Sequence, residues 1–474
     1  MSLSLLLLLL LLGSAWASLF LGSVLTYYPL HTNEDGSTTM VLRYKLTYDL
    51  CSESDVWVCL DDNCGFLSSY ALKTVDQNSS AAWCQREGIQ TRRFRSNAPF
   101  MIEFFGGPWG SNRNGVSYMA ALTSVELRKR SDTGRVNSSP QTNVLPELRV
   151  PSNCQRDIDL LTFDPDGDEV RCRYGTRAAL ECVHCTPAPV LSLSSVSTHR
   201  GRKQVPRVLL RWSTSCTLSF SSTLPSDEGT YAVQLVMEDV ARQPVTVTRD
   251  DGAETVLQAD APIGQSAVDF TFIVDPAVES CTEGLYLPRF LPPTPANRAR
   301  LSAAVDRPLE ISIKAEANIS TISELLFSGP YNTIKTSSGA GQYTLRWTPS
   351  EGDGENQPFC FAVQAVFNSV QFQSELRCVV FNNYYPTDYN PQFNNNYPTN
   401  YNQQFNNNYP TNYNQQFNNN YPTNYNPQFN NYYPTNYNQQ FNNNYPNYQT
   451  NYHVPPCIIP RWQHKRLPVS LSCN

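Results

Sequence analysis

Residues 40–51 alternate along the chain. Met40, Leu42, Tyr44, Leu46, Tyr48 and Leu50 fall on one side, and Val41, Arg43, Lys45, Thr47 and Asp49 fall between them. A period of two marks a strand with one buried face. The turn chemistry of Asn33-Glu34-Asp35-Gly36 comes just before it. Further strand runs are read at 116–127, 208–212, 230–237, 267–274, 309–315, 343–347, 359–367 and 371–380. Turns fall between them at Pro165-Asp166-Gly167 and Asp227-Glu228-Gly229. Short strands punctuated by turns at this spacing predict an all-β chain of tandem β-sandwiches.

The ends of the chain place these strands in a compartment. Residues 5–12 are all Leu, and Ala15-Trp16-Ala17 follows as an A-x-A site. The run is shorter than the about 20 apolar residues a bilayer span needs, so residues 1–17 are expected to be a cleaved signal peptide, with the mature chain starting near Ser18. Residues 457–474 contain Arg461, His464, Lys465 and Arg466 and have no hydrophobic tail, so no membrane span or lipid anchor is expected. The product is read as secreted and extracellular.

The chain has 14 cysteines, which behind a signal peptide predict disulfides. Cys51, Cys59, Cys64 and Cys84 suit two internal bridges, with three pairings open. Cys154, Cys172, Cys182, Cys185 and Cys216 form an odd set, so one partner lies outside it, and Cys281 is the expected one. Cys360 and Cys378 sit on neighbouring strands and are expected to staple them. Cys457 and Cys473 close a small loop or link chains. Asn78, Asn137 and Asn318 begin N-x-S sequons and are the expected glycan sites. The net charge of -6 argues against a nucleic-acid partner.

Composition divides the chain into a Cys-rich β domain (18–149), a β-sandwich (150–277), a second sandwich (278–380), a repeat tail (381–452) and a C-terminal segment (453–474). In the tail Phe recurs at 381, 393, 405, 417, 429 and 441, a period of twelve, and Asp388 is its only charged side chain. Ile, Leu and Val are absent and Pro recurs in every unit, which excludes a β-solenoid. Such a segment cannot bury enough apolar surface to offset chain entropy, so it is expected to be disordered as a monomer.

Two stretches resemble known extracellular modules. One is Asp164-Pro165-Asp166-Gly167-Asp168-Glu169-Val170 with the later Asp227-Glu228-Gly229-Thr230-Tyr231-Ala232-Val233 and Glu238-Asp239; the other is Tyr343-Thr344-Leu345-Arg346-Trp347-Thr348-Pro349 leading to Phe359-Cys360-Phe361-Ala362-Val363. Together they resemble cadherin-like and immunoglobulin-like repeats over about residues 150–381. The resemblance implies β-sandwich modules that adhere or act as spacers. The paired calcium motifs of cadherin junctions are not all here, so cadherin-type homophilic adhesion is not implied. Arg130-Ser131-Asp132-Thr133-Gly134 and Val150-Pro151-Ser152-Asn153-Cys154 resemble uncharacterised secreted vertebrate proteins, a likeness that implies no activity.

The chemistry-bearing motifs are few. Asp164, Asp166 and Asp168 offer hard oxygens around a Gly-containing turn, as calcium requires, although a solvated turn with Pro second accounts for the same residues. Cys182-Val183-His184-Cys185 lacks a second C-x-x-C for zinc and reads as a disulfide. Arg128-Lys129-Arg130 reads as a solvated strand end or linker rather than a processing site. His31, His184, His199, His453 and His464 lie in no H-E-x-x-H, and no G-x-S-x-G occurs, so no enzyme is expected. These observations point to an extracellular structural or adhesive protein whose tail associates with itself through Phe393, Phe405, Phe417, Phe429, Tyr409 and Tyr413; the same repeats also read as adhering to a surface or matrix, or as an inert spacer. The alternative is a soluble recognition or defence protein that binds a glycan or protein through sandwich loops.

Overall fold

The amino-terminal strands are β1 (Phe20–Thr32), β2 (Thr38–Tyr48), β3 (Trp57–Cys59), β4 (Phe66–Gln77), β5 (Cys84–Phe94), β6 (Phe100–Pro108) and β7 (Tyr118–Val125). Next come β8 (Lys129–Arg130), β9 (Gln141–Thr142), β10 (Glu147–Pro151), β11 (Arg156–Asp159), β12 (Thr162–Phe163), β13 (Glu169–Tyr174), β14 (Leu191–Ser194), β15 (Thr217–Phe220), β16 (Gly229–Val240), β17 (Val245–Thr248), β18 (Glu254–Leu257) and β19 (Pro262–Asp275). The last set is β20 (Arg289–Leu291), β21 (Arg300–Ala304), β22 (Leu309–Glu316), β23 (Thr321–Ser328), β24 (Ile334–Gly339), β25 (Gln342–Trp347), β26 (Asn356–Phe367), β27 (Val370–Gln373) and β28 (Arg377–Tyr384).

This computed structural model describes residues 18–384 apart from 34, 52–56, 62–63, 78–82, 195–215 and 222. The expected signal peptide, the strand at 208–212, Asn78, Cys457, Cys473, and the tail from 385 with Phe393, Phe405, Phe417, Phe429, Tyr409 and Tyr413 lie outside the described residues. The described chain is all β, and no described helix is long and apolar enough to cross a membrane.

Strand β19 organises the first two segments. One of its edges pairs with β16 from Gly229 to Val240. Its other edge meets β7 at Gln265, β1 at Val268 and Asp269, and β10, in parallel, from Thr271 to Asp275. The result is an 11-stranded sheet with the path β3-β6-β7-β19-β1-β2-β5-β4. The boundary expected at 149/150 therefore falls inside β10, and strands from both sides of it share one sheet. Sequence pattern locates strands but not their partners, and the β1 to β19 pairing spans almost 250 residues.

The third segment is a two-layer sandwich. Sheet β20-β22-β25-β24 faces sheet β21-β28-β26-β23 across Ile311, Ile313, Leu345, Trp347, Phe359, Phe361 and Val379. The run expected at 371–380 is two strands, β27 and β28. Ser374 separates them because its Oγ, rather than a backbone carbonyl, accepts the Val363 N–H. Strand β28 continues to Tyr384, past the boundary expected at 380/381. Phe381, the first Phe of the twelve-residue register, is a core residue, with its ring 4.5 Å from Phe359 and 5.5 Å from Trp347.

The alternation in β2 predicts a solvated face. Instead all eleven residues are buried. Met40, Leu42, Tyr44 and Leu46 enter the apolar interior of the first segment. Arg43 and Lys45 meet the third segment on the other face, where Arg43 bonds Asp353 at 3.0 Å. The largest core cluster draws Leu21, Trp83, Val144, Phe220, Phe270, Leu326, Ala362 and Phe372 from all three segments.

All twelve described cysteines are paired: Cys51–Cys84, Cys59–Cys64, Cys154–Cys281, Cys172–Cys216, Cys182–Cys185 and Cys360–Cys378. Cys154–Cys281 spans the 277/278 boundary. Cys360 and Cys378 lie directly opposite each other on β26 and β28.

Candidate functional site

The Asp-rich turn packs against Arg130, which the triplet Arg128-Lys129-Arg130 led one to expect in solvent. Strand β8 pairs with β17, opposing Arg130 to Val247, and the Arg130 side chain is fully buried. All five guanidinium N–H groups are used. Nε and Nη2 donate to Asp132 at 3.0 and 2.8 Å. Nη1 and Nη2 donate to the two oxygens of Asp168, and Nη1 also donates to Asn137 Oδ1 at 2.5 Å. The carboxylates hold the Arg130 pKa above its ordinary value, although burial acts against them.

Around this cation the turn closes on itself. Asp164 Oδ1 accepts the N–H groups of Asp166 and Asp168 at 2.8 and 3.2 Å, and Gly167, with φ of 90°, makes the left-handed step. Asp166 Oδ2 accepts the Ser138 N–H at 2.7 Å and lies 3.9 Å from Arg130 Nη1. Asp239 on β16 completes the group, accepting the Gly264 N–H at 2.5 Å and the Asn137 amide at 2.6 Å. Carboxylate oxygens of Asp164, Asp168 and Asp239 lie within 4.8 Å of one another. Asp164 Oδ2 is buried without a hydrogen-bond partner.

The calcium expectation named Asp164, Asp166 and Asp168, and the fold does not bring those three together as ligands. Asp166 is outside the cluster, both oxygens of Asp168 are spent on Arg130, and a fixed guanidinium would repel a divalent ion. Calcium takes six to eight oxygens, and this donor set does not fit it. Burial and then the charge of Asp239 raise the Asp164 pKa well above the carboxylate range. Burial likewise raises Asp239 to about 7. The Arg130 guanidinium thus compensates Asp132 and Asp168 directly, while burial works against the charge of Asp164 and Asp239.

Two expected glycan sites are described. Asn137 is fully buried, and its amide nitrogen donates to Asp239 and to the Ser138 carbonyl, so it is not available to a glycan in this fold. Its sequon reads as a surface site only because its long-range partners are invisible in the triplet. Asn318 is exposed in a turn, while Ser320 of the same sequon is buried with its hydroxyl on the Tyr286 carbonyl.

A second buried charge cluster had no signal beyond the polar positions of β2. Glu87 on β5 accepts from Arg43 Nε and Nη2, from Lys45 Nζ and from the Tyr331 N–H. Burial opposes its ionisation, but Arg43 and Lys45 win and hold its pKa at about 2. Nearby, Asp76 on β4 bonds Lys335 at 2.6 Å, and burial raises it to about 6. Tyr28 Oη donates to the Gly352 carbonyl, and Ser328 Oγ to Gln85. This polar layer joins the first sheet to the third segment.

No protein-family model and no curated protein matches the chain. Among solved structures, tandem Ig repeats of Dlar are 8% identical, with 52% of this chain and 98% of theirs covered at a TM-score of 0.19. The Protocadherin GammaB4 extracellular domain is 9% identical over 70% of this chain and 46% of its own, at 0.17. An endo-fucoidan hydrolase of glycoside hydrolase family 107, MfFcnA9, is 16% identical over 51% of this chain and 34% of its own, at 0.16. The chain spans well under half the length of that hydrolase. At these TM-scores none of the three carries an argument about this protein.

Proposed function

We propose that this chain is a secreted, non-enzymatic structural or adhesive component of the extracellular space, a disulfide-braced β body followed by a self-associating repeat tail. The observation that carries the reading is the pairing of all twelve described cysteines, six bonds of the kind an oxidising compartment forms and preserves. The shared core and polar layer support a body that does not flex between its segments. Beyond Phe381, which the core takes, the tail supplies five Phe residues at a fixed spacing of twelve. Repeats that bind weakly one at a time hold strongly when several engage together.

Sedimentation velocity over a concentration series tests this. The mature chain is compared with a full-length variant in which Phe393, Phe405, Phe417, Phe429, Tyr409 and Tyr413 are Ser. The natural chain is expected to form species of steadily growing mass, and the variant is not. Equal behaviour of the two would discard the tail as an assembly element and favour recognition of a glycan or protein by the sandwich loops.

A further inference from the structure

The polar layer between the first sheet and the third segment contains a cavity of about 20 Å³. That is space for a single small ion or a water. Its polar walls come from Thr26 on β1, Arg43 and Lys45 on β2, Gln141 and Thr142 on β9, and Gln357 on β26. Two of these side chains are cations and the others are neutral. The carboxylates that face the cations, Glu87 and Asp353, do not line the cavity. Glu87 Oε1 is shared between Arg43 Nε and Lys45 Nζ, at 2.8 and 2.7 Å. Asp353 Oδ1 accepts from Arg43 Nη1, and its Oδ2 is taken by the N–H and hydroxyl of Ser350.

Lys45 is therefore the least compensated charge of the layer. Its ammonium carries three N–H donors, and among the described residues it makes one hydrogen bond, to Glu87. Burial outweighs Glu87 and lowers the Lys45 pKa, so a further anion beside it would favour the ammonium. Two amides stand ready to share such a guest. Gln141 Nε2 donates one N–H to the Ser139 carbonyl and Gln357 Nε2 one to the Asp353 carbonyl, which leaves each a second donor.

We infer that this cavity binds a small monovalent anion, chloride, held by Lys45 Nζ and by the amides of Gln141 and Gln357. Donors and positive charge on the walls select an anion over a metal ion, and the volume excludes sulfate, phosphate and organic acids. Bound there, chloride touches β2, β9 and β26 together, so it ties the first sheet to the third segment. The site is independent of the tail.

The test is a thermal melt of the full mature chain as sodium chloride replaces sodium gluconate, whose anion is too large for the cavity, at constant ionic strength. The melting temperature is expected to rise saturably with chloride, by about 2 °C at ten times the dissociation constant. Lys45→Gln should abolish the rise, and Gln357→Leu should weaken chloride binding several-fold. Crystals soaked in sodium bromide should show an anomalous peak beside Lys45 Nζ, a readout that needs no variant to fold. Equal melting in chloride and gluconate, a chloride effect that survives in Lys45→Gln, or no bromide at this place would overturn the inference and leave a water in the cavity.

Discussion

Arg130 has all five of its guanidinium N–H groups bonded within the core, to Asp132, Asp168 and Asn137. It does the work that a bound cation would otherwise do for this turn. Chelation is therefore expected to leave the melting temperature of the natural protein unchanged. Arg130→Gln should lower stability in urea unfolding by about 3–5 kcal/mol, the usual effect of removing one partner from a buried charge network. A melting temperature that falls with chelator and returns with calcium would overturn this assignment. Part of the site is legible in the chain: Asp164, Gly167 and Asp168 make a turn by local chemistry alone. Arg130, Asn137 and Asp239 are not legible as its partners, because Asp239 lies 71 residues beyond Asp168 and no local pattern encodes the encounter.

Among the elements, β19 shows most clearly how a strand's surroundings alter its chemistry. Asp269 lies in its middle, is fully buried, and accepts from Ser23 Oγ at 2.9 Å. Burial raises its pKa to about 8. The folded chain therefore holds a neutral carboxyl where the unfolded chain ionises near 4. Stability from this group is complete below about pH 4 and is lost as pH rises towards 8. Asp269→Asn mimics the neutral acid, so it should be nearly silent at pH 4. At pH 8 it should raise stability by at least about 1.4 kcal/mol, the worth of one pKa unit. Denaturant titrations at the two pH values check this, and an equal effect at both would contradict it. The same substitution read from sequence alone looks like a surface change on an alternating strand. For β2 likewise, the period of two located the strand, while the burial of Arg43 and Lys45 depended on what covers them.

For the molecule as a whole, the central question is how three sequence segments become one cooperative body. Glu87 receives Arg43, Lys45 and the Tyr331 N–H, and Arg43 continues to Asp353. Glu87→Gln would leave two buried cations poorly compensated, at a cost of about 3–5 kcal/mol. Calorimetry is expected to show the single transition of the natural chain splitting, with the third segment melting apart from the first two. An unsplit transition at an unchanged temperature would show that the apolar core alone holds the segments together. The shared cluster of Leu21, Trp83, Phe270, Leu326 and Phe372 sets the strength of that competing effect.

Local pattern in the chain was enough to locate part of the strands, several turns, the disulfide-forming use of its cysteines and the twelve-residue register of the tail. These follow from local rules, in which side chains two residues apart share a face and Gly or Pro restricts the backbone at one position. Tertiary structure decided the rest. It took Phe381 out of the repeat and into the core, withdrew Asn137 from the surface, and joined segments expected to be separate through β19. Each of these outcomes depends on which distant surface comes to rest against a residue, and burial, pairing and protonation follow from that contact rather than from the neighbouring residues in the chain.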